Sequence, residues 1–156
     1  MQTIPFSDKE VELAHQLHDK GIYWRPKSSD WFIDLSNLRV LYNGEYEQSV
    51  SLCLVLDEDG RSFSYLELII DGEENGNRMK RSTSYTDKDK MANLIWLPAI
   101  KDCIDAVERN GDYTFISLEK IDNSYKTSIK DKSSDKIISC LADTELESFY
   151  SAIISL

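Results

Sequence analysis

The sequence predicts an α+β fold with a mainly antiparallel sheet and about three helices. Apolar residues recur at helical spacing in three segments, near the start, the middle and the end of the chain. Between these segments, short apolar runs separated by turn residues indicate strands. The strands are clustered and do not alternate with helices, so the expected order is helix, strands, helix, three strands, helix. Such clustering favours antiparallel pairing.

The first predicted helix covers residues 8–20. Ser7 and Glu10 form a capping box, in which the hydroxyl and the carboxylate each satisfy a free backbone amide. Gly21 can adopt the left-handed conformation that ends a helix. The apolar side of this helix consists of Val11, Leu13, Ala14 and Leu17.

Strands are predicted next. Residues 22–25 and 30–35 read as a hairpin around a Pro/Ser turn, and residues 38–42 as a further short strand. The clearest hairpin joins residues 50–56 to residues 61–70 through the loop 57–60. Its second arm has apolar residues on both faces, which predicts a central strand. One face has Phe63, Tyr65, Glu67 and Ile69, and the other has Leu66, Leu68 and Ile70.

The remaining elements follow from local patterns. Residues 71–81 lack periodicity and predict a long loop or an irregular hairpin tip, and residues 82–90 are ambiguous. A short strand at 94–97 leads into a second helix that Pro98 opens. Three strands are expected near residues 113–118, 125–129 and 136–141. A last helix begins with a capping box of Thr144 and Glu147. Its apolar face is Leu146, Phe149, Tyr150, Ile153 and Ile154.

Length and composition indicate one globular domain over residues 1–156. The chain has 41% hydrophobic residues, which is ordinary for a folded protein. No apolar run approaches the roughly 18 residues that span a bilayer, and the N-terminus lacks the basic start and apolar stretch of a signal peptide. The three cysteines are far apart within apolar patterns, as reduced thiols of a cytoplasmic protein would be. We therefore expect a cytoplasmic protein without a membrane partner.

The net charge of -10 is uneven along the sequence. Residues 1–76 contain 15 acids and 6 bases, whereas residues 77–156 contain 13 acids and 12 bases. An acidic surface repels phosphate backbones, which argues against direct binding of nucleic acid or of anionic membranes. It suits a partner with a basic protein surface, although surplus acid that only maintains solubility is the alternative interpretation.

Residues for catalysis or metal binding are scarce. His15 and His18 are the only histidines, and both lie on the first predicted helix. With Glu12 or Asp19 they suggest a metal site, but neither a cysteine nor a distant acidic cluster joins them, so we expect no metal. The sequence has no glycine-rich phosphate motif and no nucleophile that the pattern brings to a histidine. We therefore expect neither catalytic residues nor a cofactor.

Aromatic residues near one carboxylate offer a different site. Trp24 and Trp31, together with Tyr65 and Glu67, predict a small-molecule pocket. A carboxylate among aromatic rings is costly unless it is paired. The alternative interpretation, which we favour, is that the Glu67 face is solvent-exposed and that its aromatic residues are only partly covered.

Three segments are similar to small uncharacterised proteins of bacteriophages and prophages. They are residues 20–27 with Asp30-Trp31-Phe32, Trp96-Leu97-Pro98 followed by Asp102 and Glu108, and Asp143-Thr144-Glu145 at the start of the last helix. The resemblance covers about half of the chain and implies a phage origin and a bacterial cytoplasmic setting. It implies no catalytic residues.

The hypothesis from the sequence is a non-enzymatic acidic protein that binds and inhibits or modulates a host protein, such as a defence factor or a nucleic-acid-binding factor. The expected partner-binding residues flank one predicted strand and are Asp57, Glu58, Asp59, Asp71, Glu73 and Glu74. The alternative is a ligand-sequestering protein or a small enzyme that uses the aromatic pocket. The broad apolar face of the last helix also suggests a homodimer.

Overall fold

Three helices and eight strands follow one another along the part of the chain that the structure describes. This computed structural model describes residues 6–21, 27, 29–40, 46–56, 61–70, 77–85, 87 and 91–156. The elements are α1 (Asp8–Asp19), β1 (Trp31–Val40), β2 (Tyr46–Leu56), β3 (Ser62–Ile70), β4 (Asn77–Tyr85), β5 (Leu94–Leu97), α2 (Ile100–Glu108), β6 (Tyr113–Ile121), β7 (Ser124–Asp131), β8 (Ile137–Ala142) and α3 (Glu145–Ile154). All described strand pairs are antiparallel. The predicted α+β class and the order of elements are confirmed.

These elements belong to two compact units. The first unit comprises Met1–Pro5 and Tyr23–Leu97, and the second comprises Phe6–Ile22 and Pro98–Leu156. The N-terminal helix is therefore part of the same unit as the C-terminal strands and helices. That the whole chain acts as one domain stays a prediction.

The first unit contains a five-stranded sheet with the strand order β4-β3-β2-β1-β5. The predicted hairpin of β2 and β3 is confirmed, because Leu56 lies opposite Phe63 at the end of their ladder. β3 has a strand on each side, as the apolar residues on both of its faces predict. Phe32 and Ile33 are consecutive in β1 and both fully buried, so this sheet is covered on two faces near β1.

Two predictions for this unit need correction. Residues 77–81 are not part of a loop, because β4 pairs residue by residue with β3 from Asn77 to Tyr85. β4 lies at the edge of the sheet and can be polar, so it lacks the apolar alternation by which a strand is recognised. Residues 38–40 belong to β1, whose register shifts between Ile33 and Leu38.

The hairpin predicted for residues 22–25 and 30–35 has one arm outside the described residues. Its other arm is the start of β1, and both edges of that strand are occupied. Trp31 lies opposite Leu52 of β2 on one side and opposite Leu97 of β5 on the other. The neighbours of β1 are therefore β2, which follows it directly in sequence, and β5, which is more distant.

The second unit is a three-stranded sheet, β6-β7-β8, covered on one face by helices. α3 packs on β7 and β8, α1 packs against α3, and α2 packs against β6 and α3. Phe149 of α3 is fully buried and stacks on Phe115 of β6, with ring centroids 5.3 Å apart. The apolar face predicted for the last helix is therefore used inside this unit, where Phe149, Tyr150 and Ile153 are buried.

The helix ends of this unit follow the predictions with one change. Gly21 and Gly111 have φ angles of 84° and 75°, which are the left-handed conformations expected after α1 and α2. The first residue of α2 is Ile100 and not the predicted Pro98, and its N-cap is Ala99. Asp102 accepts a hydrogen bond from the Ala99 amide at 3.1 Å. Pro98 instead leaves its carbonyl free to accept hydrogen bonds from side chains.

Candidate functional site

The six acidic residues predicted to bind a partner lie outside the described residues, in two segments next to β3. The first, which we name the acidic connection, is residues 57–60 with Asp57, Glu58 and Asp59, and it joins the paired ends of β2 and β3. The second acidic segment is residues 71–76, and it joins β3 to β4. The two segments meet β3 at its opposite ends. Those ends are about 26 Å apart at the usual rise of a nine-residue strand.

The charges around the two segments differ. Residues 71–81 contain three acids and three bases. The bases Arg78, Lys80 and Arg81 belong to β4, where Lys80 lies opposite Glu67. The acidic connection has three consecutive acids and only Arg61 as a nearby base in sequence. It is therefore the more negative of the two segments.

The face of β3 with Phe63 and Tyr65 is buried in the first unit. Phe32 contacts Phe63 and Tyr65 edge-on, at centroid distances of 5.6 and 5.3 Å. These three rings and Leu94 form one buried cluster, and Tyr65 is only 9% exposed. The favoured interpretation of this face as solvent-exposed is therefore wrong around Tyr65. β3 is an inner strand, so its aromatic residues are covered.

The four residues of the predicted pocket do not share one face. Trp24 lies outside the described residues. Trp31 lies opposite Leu52, which lies opposite Leu66, whereas Glu67 and Phe32 both lie opposite Ser51. Because neighbouring residues of a strand point to opposite faces, Trp31 lies on the face away from Tyr65 and Glu67. Tyr65 and Glu67 are the two members that the sheet brings together.

The sequence did not predict that the Asp30 carboxylate is buried and paired with Lys27. Asp30 is 4% exposed and accepts hydrogen bonds from the backbone N of Lys27 at 3.0 Å and from its Nζ at 2.7 Å. The Lys27 ammonium also lies 5.9 Å from the centroid of the Trp96 ring. The buried Nε1 of Trp96 has no hydrogen-bond partner among the described residues. In the sequence, only the three-residue spacing between Lys27 and Asp30 indicates this pair.

In the second unit, two buried carboxylates hold the starts of α1 and α3 together. The Ser7 hydroxyl accepts from the Glu10 amide at 3.0 Å and donates to Glu147 Oε1 at 2.9 Å. The Thr144 hydroxyl accepts from the Glu147 amide at 3.1 Å and donates to Glu10 Oε1 at 2.6 Å. Each cap therefore binds its own helix and the carboxylate of the other helix. We name these four residues the double cap.

The double cap completes one predicted capping box and alters the other. Ser7 and Glu10 form the full reciprocal box, since the Ser7 amide also donates to Glu10 Oε2 at 3.0 Å. In the second box the Thr144 hydroxyl accepts as predicted, but the Glu147 carboxylate bonds to Ser7. Both carboxylates thus have structural partners, and neither is positioned as an open acid or base.

The Pro98 carbonyl is the acceptor for a buried pair of titratable side chains. The Tyr150 hydroxyl donates to it at 2.6 Å, and Cys103 Sγ lies 4.0 Å from it. Burial raises the pKa of the Cys103 thiol far above its usual range, and nearby Asp102 adds to the shift. Burial likewise raises the pKa of Tyr150 well above 10, with smaller contributions from Cys103, Glu10 and Asp102. Such a thiol is a poor nucleophile.

His15 and His18 are both partly exposed on α1, and His18 Nδ1 lies 3.7 Å from Asp19 Oδ1. Across the described ranges, no three His, Cys, Asp or Glu side chains group together as a metal site would require. None of the described helices is long and apolar enough to cross a membrane.

An exposed apolar strand edge is the feature of the second unit that sequence reasoning missed. Ile137 and Leu141 of β8 are 56% and 62% exposed. They lie on the face of the sheet opposite α3, because the intervening Cys140 and its neighbour Thr127 face that helix. Their signal in the sequence is an uncharged run from Ile137 to Ala142. Such a run by itself indicates only a strand.

Comparison of this chain with protein-family models, with curated proteins and with solved structures finds no match.

Proposed function

We propose that this chain is a non-enzymatic acidic protein of bacteriophage type that binds a basic surface on a host protein and inhibits or modulates that protein. The observation that carries the proposal is the position of Asp57, Glu58 and Asp59, three consecutive acids between the paired ends of β2 and β3. The proposed setting is the cytoplasm of a bacterial host. A host factor that binds nucleic acid fits as the partner, because its basic site would accept carboxylates in place of phosphates.

The acidic connection is the primary contact in this proposal, and the second acidic segment is secondary. The two segments join β3 at its opposite ends, which are about 26 Å apart. The bases of β4 also reduce the net charge near residues 71–76. A basic partner surface would therefore be attracted most strongly to residues 57–59.

The groups best suited to chemistry have structural roles, which also supports a binding protein. Glu10 and Glu147 belong to the double cap, Asp30 is paired with Lys27, and Cys103 is buried as a neutral thiol. Each of these contacts stabilises the fold.

The test is partner capture with two matched charge variants. One combines Asp57→Asn, Glu58→Gln and Asp59→Asn, and the other combines Asp71→Asn, Glu73→Gln and Glu74→Gln. Each variant removes three charges. Each should change the free energy of unfolding by less than about 0.5 kcal/mol per residue, because the replaced residues lie between strands and not within one. The protein is immobilised, incubated with bacterial lysate at low and high salt, and the captured partner is purified for kinetic measurement.

The first variant should reduce the association rate by about tenfold at low salt and flatten its salt dependence, while the second has a smaller effect. Equal loss with both variants would show that only net charge matters. Unchanged binding with both would reject the acidic connection as the site. Loss of partner binding with Glu67→Gln alone would likewise reject the acidic connection as the site.

A further inference from the structure

Among the four described sheet edges, β8 is the only one without a recognisable protection against pairing. β4 has the three bases Arg78, Lys80 and Arg81, and β5 is only four residues long. β6 contains Glu119 and Lys120. Charged side chains and short length are the usual means by which an edge strand avoids pairing with another chain. β8, with the sequence Ile-Ile-Ser-Cys-Leu-Ala, has no charge and no proline.

The backbone of β8 presents hydrogen-bonding groups at this edge. The Asp131 amide donates to the Lys136 carbonyl at 2.9 Å, and the β7/β8 register continues without a shift. Hydrogen-bonded pairs alternate along an antiparallel ladder, so Ile138, Cys140 and Ala142 bond to β7. The amides and carbonyls of Ile137, Ser139 and Leu141 therefore point away from β7.

We propose that β8 pairs with β8 of a second copy of this chain, in antiparallel fashion about a two-fold axis at Ser139. This pairing joins two three-stranded sheets into one of six strands. It concerns a surface separate from the acidic connection and does not depend on the proposed function.

The register at Ser139 is the one that matches all of the exposed groups. It pairs Ile137 of one copy with Leu141 of the other, twice by symmetry, so the two most exposed large apolar side chains of the unit cover each other. The residues in these pairs are the ones whose backbone groups point to the edge, and each such pair exchanges two hydrogen bonds. A shift by one residue would break this agreement, because it would place outer-face residues opposite inner-face residues.

The charges that flank β8 do not contribute to the pairing. In this register Asp135 of one copy lies opposite Asp143 of the other, and Asp135 already forms an ion pair with Lys130 at 3.0 Å. Lys136 follows Asp135 in the chain and therefore lies on the other face of the sheet. The contact thus depends on the apolar side chains and on the backbone groups of the edge.

The position of α3 over β7 and β8 fits this arrangement. α3 lies over β7 and β8, and strands are about 4.8 Å apart in a sheet. The two copies of α3 would therefore lie on the same face of the six-stranded sheet at about 10 Å, which is the distance at which helices pack. The predicted homodimer thus forms through β8, while the apolar face of α3 stays in the core of each copy.

The oligomeric state of the full chain tests the proposal. Sedimentation over about 1 to 200 μM should show a monomer–dimer equilibrium. Leu141→Lys should raise the dimer dissociation constant by at least about tenfold, because it places two like charges at the paired edge. Ile121→Lys is the matched control, since Ile121 is also exposed but lies on β6. It should leave the equilibrium unchanged, and circular dichroism checks that both variants fold.

A cross-link supplies an independent result. Directly opposite residues of a hydrogen-bonded pair have Cα atoms about 5.5 Å apart, which suits a disulfide. Ser139→Cys should therefore give a covalent dimer under mild oxidation, and Glu119→Cys on the β6 edge should not. A chain that is monomeric at every concentration overturns the proposal. So does a dimer that Leu141→Lys leaves intact, or equal cross-linking by both cysteine variants.

Discussion

Single residues show where sequence patterns define an environment and where they do not. Cys103 and Tyr150 lie in apolar stripes that predict burial, and both are buried. The sequence does not reveal that they share the Pro98 carbonyl, because Tyr150 and Pro98 are far apart along the chain. It also did not reveal that Trp31 and Tyr65 face opposite ways. That depends on the register between three strands, which no local pattern sets.

The buried pair at Pro98 predicts a loss of stability at alkaline pH. Folding raises the pKa of both Cys103 and Tyr150, so the folded state keeps protons that the unfolded state loses above pH 9 and pH 10, respectively. The contribution of the two groups is complete below pH 9. It falls as pH rises, by about 1.4 kcal/mol per pH unit for each group that titrates only in the unfolded state.

Urea unfolding between pH 7 and pH 10.5 measures this effect. Tyr150→Phe should cost about 1 kcal/mol at pH 7 through the lost hydrogen bond, and it should flatten the decline above pH 10. Cys103→Ala should flatten the decline from pH 9. A Tyr150→Phe variant with the same alkaline slope as the original chain would contradict the assignment.

At the scale of elements, local signals located the helices and inner strands well. Capping boxes marked the starts of α1 and α3, and left-handed glycines marked the ends of α1 and α2. The polar edge strand β4 was missed because its residues do not alternate between water and a core. Nor could the sequence show that the two helix starts exchange carboxylates, since Glu10 and Thr144 are 134 residues apart. Long-range pairing of this kind depends on how α1 packs on α3.

The double cap predicts coupling between distant substitutions. Ser7→Ala and Thr144→Ala should each lower the free energy of unfolding by about 1–2 kcal/mol, because each removes a helix cap and a partner of a buried carboxylate. Their combined effect should differ from the sum by about 0.5–1 kcal/mol, since the two hydroxyls act on the same pair of carboxylates. Urea unfolding of the single and double variants measures this. Thr144→Ser, which keeps the hydroxyl, should retain most of the stability, and strictly additive losses would argue against an exchanged pair of caps.

For the whole molecule, charge by structural unit differs from charge by sequence half. The first unit contains 13 acids and 9 bases and the second contains 15 acids and 9 bases, so both units are acidic. The concentration of acid in residues 1–76 arises partly because the bases of β4 come later in sequence while pairing with β3. Linear charge patterning therefore exaggerates the difference between the units.

This overall charge sets opposite salt dependences for the two proposed interactions. Attraction between the acidic connection and a basic partner weakens as the screening length falls from about 10 Å at 0.1 M salt to about 3 Å at 1 M. Two copies of a chain with a charge of -10 repel each other, whereas the β8 contact itself is uncharged. Salt should therefore weaken partner binding and strengthen self-association in the same preparation.

The partner association rate and the dimer dissociation constant, each measured from 0.05 to 0.5 M salt (roughly the range over which screening changes most for surface charges), check this. Removing Asp57, Glu58 and Asp59 charges should flatten the first dependence and slightly tighten the dimer, and Leu141→Lys should weaken the dimer at every salt concentration. A dimer that dissociates as salt rises would mean that ion pairs hold it together and that the apolar edge of β8 does not.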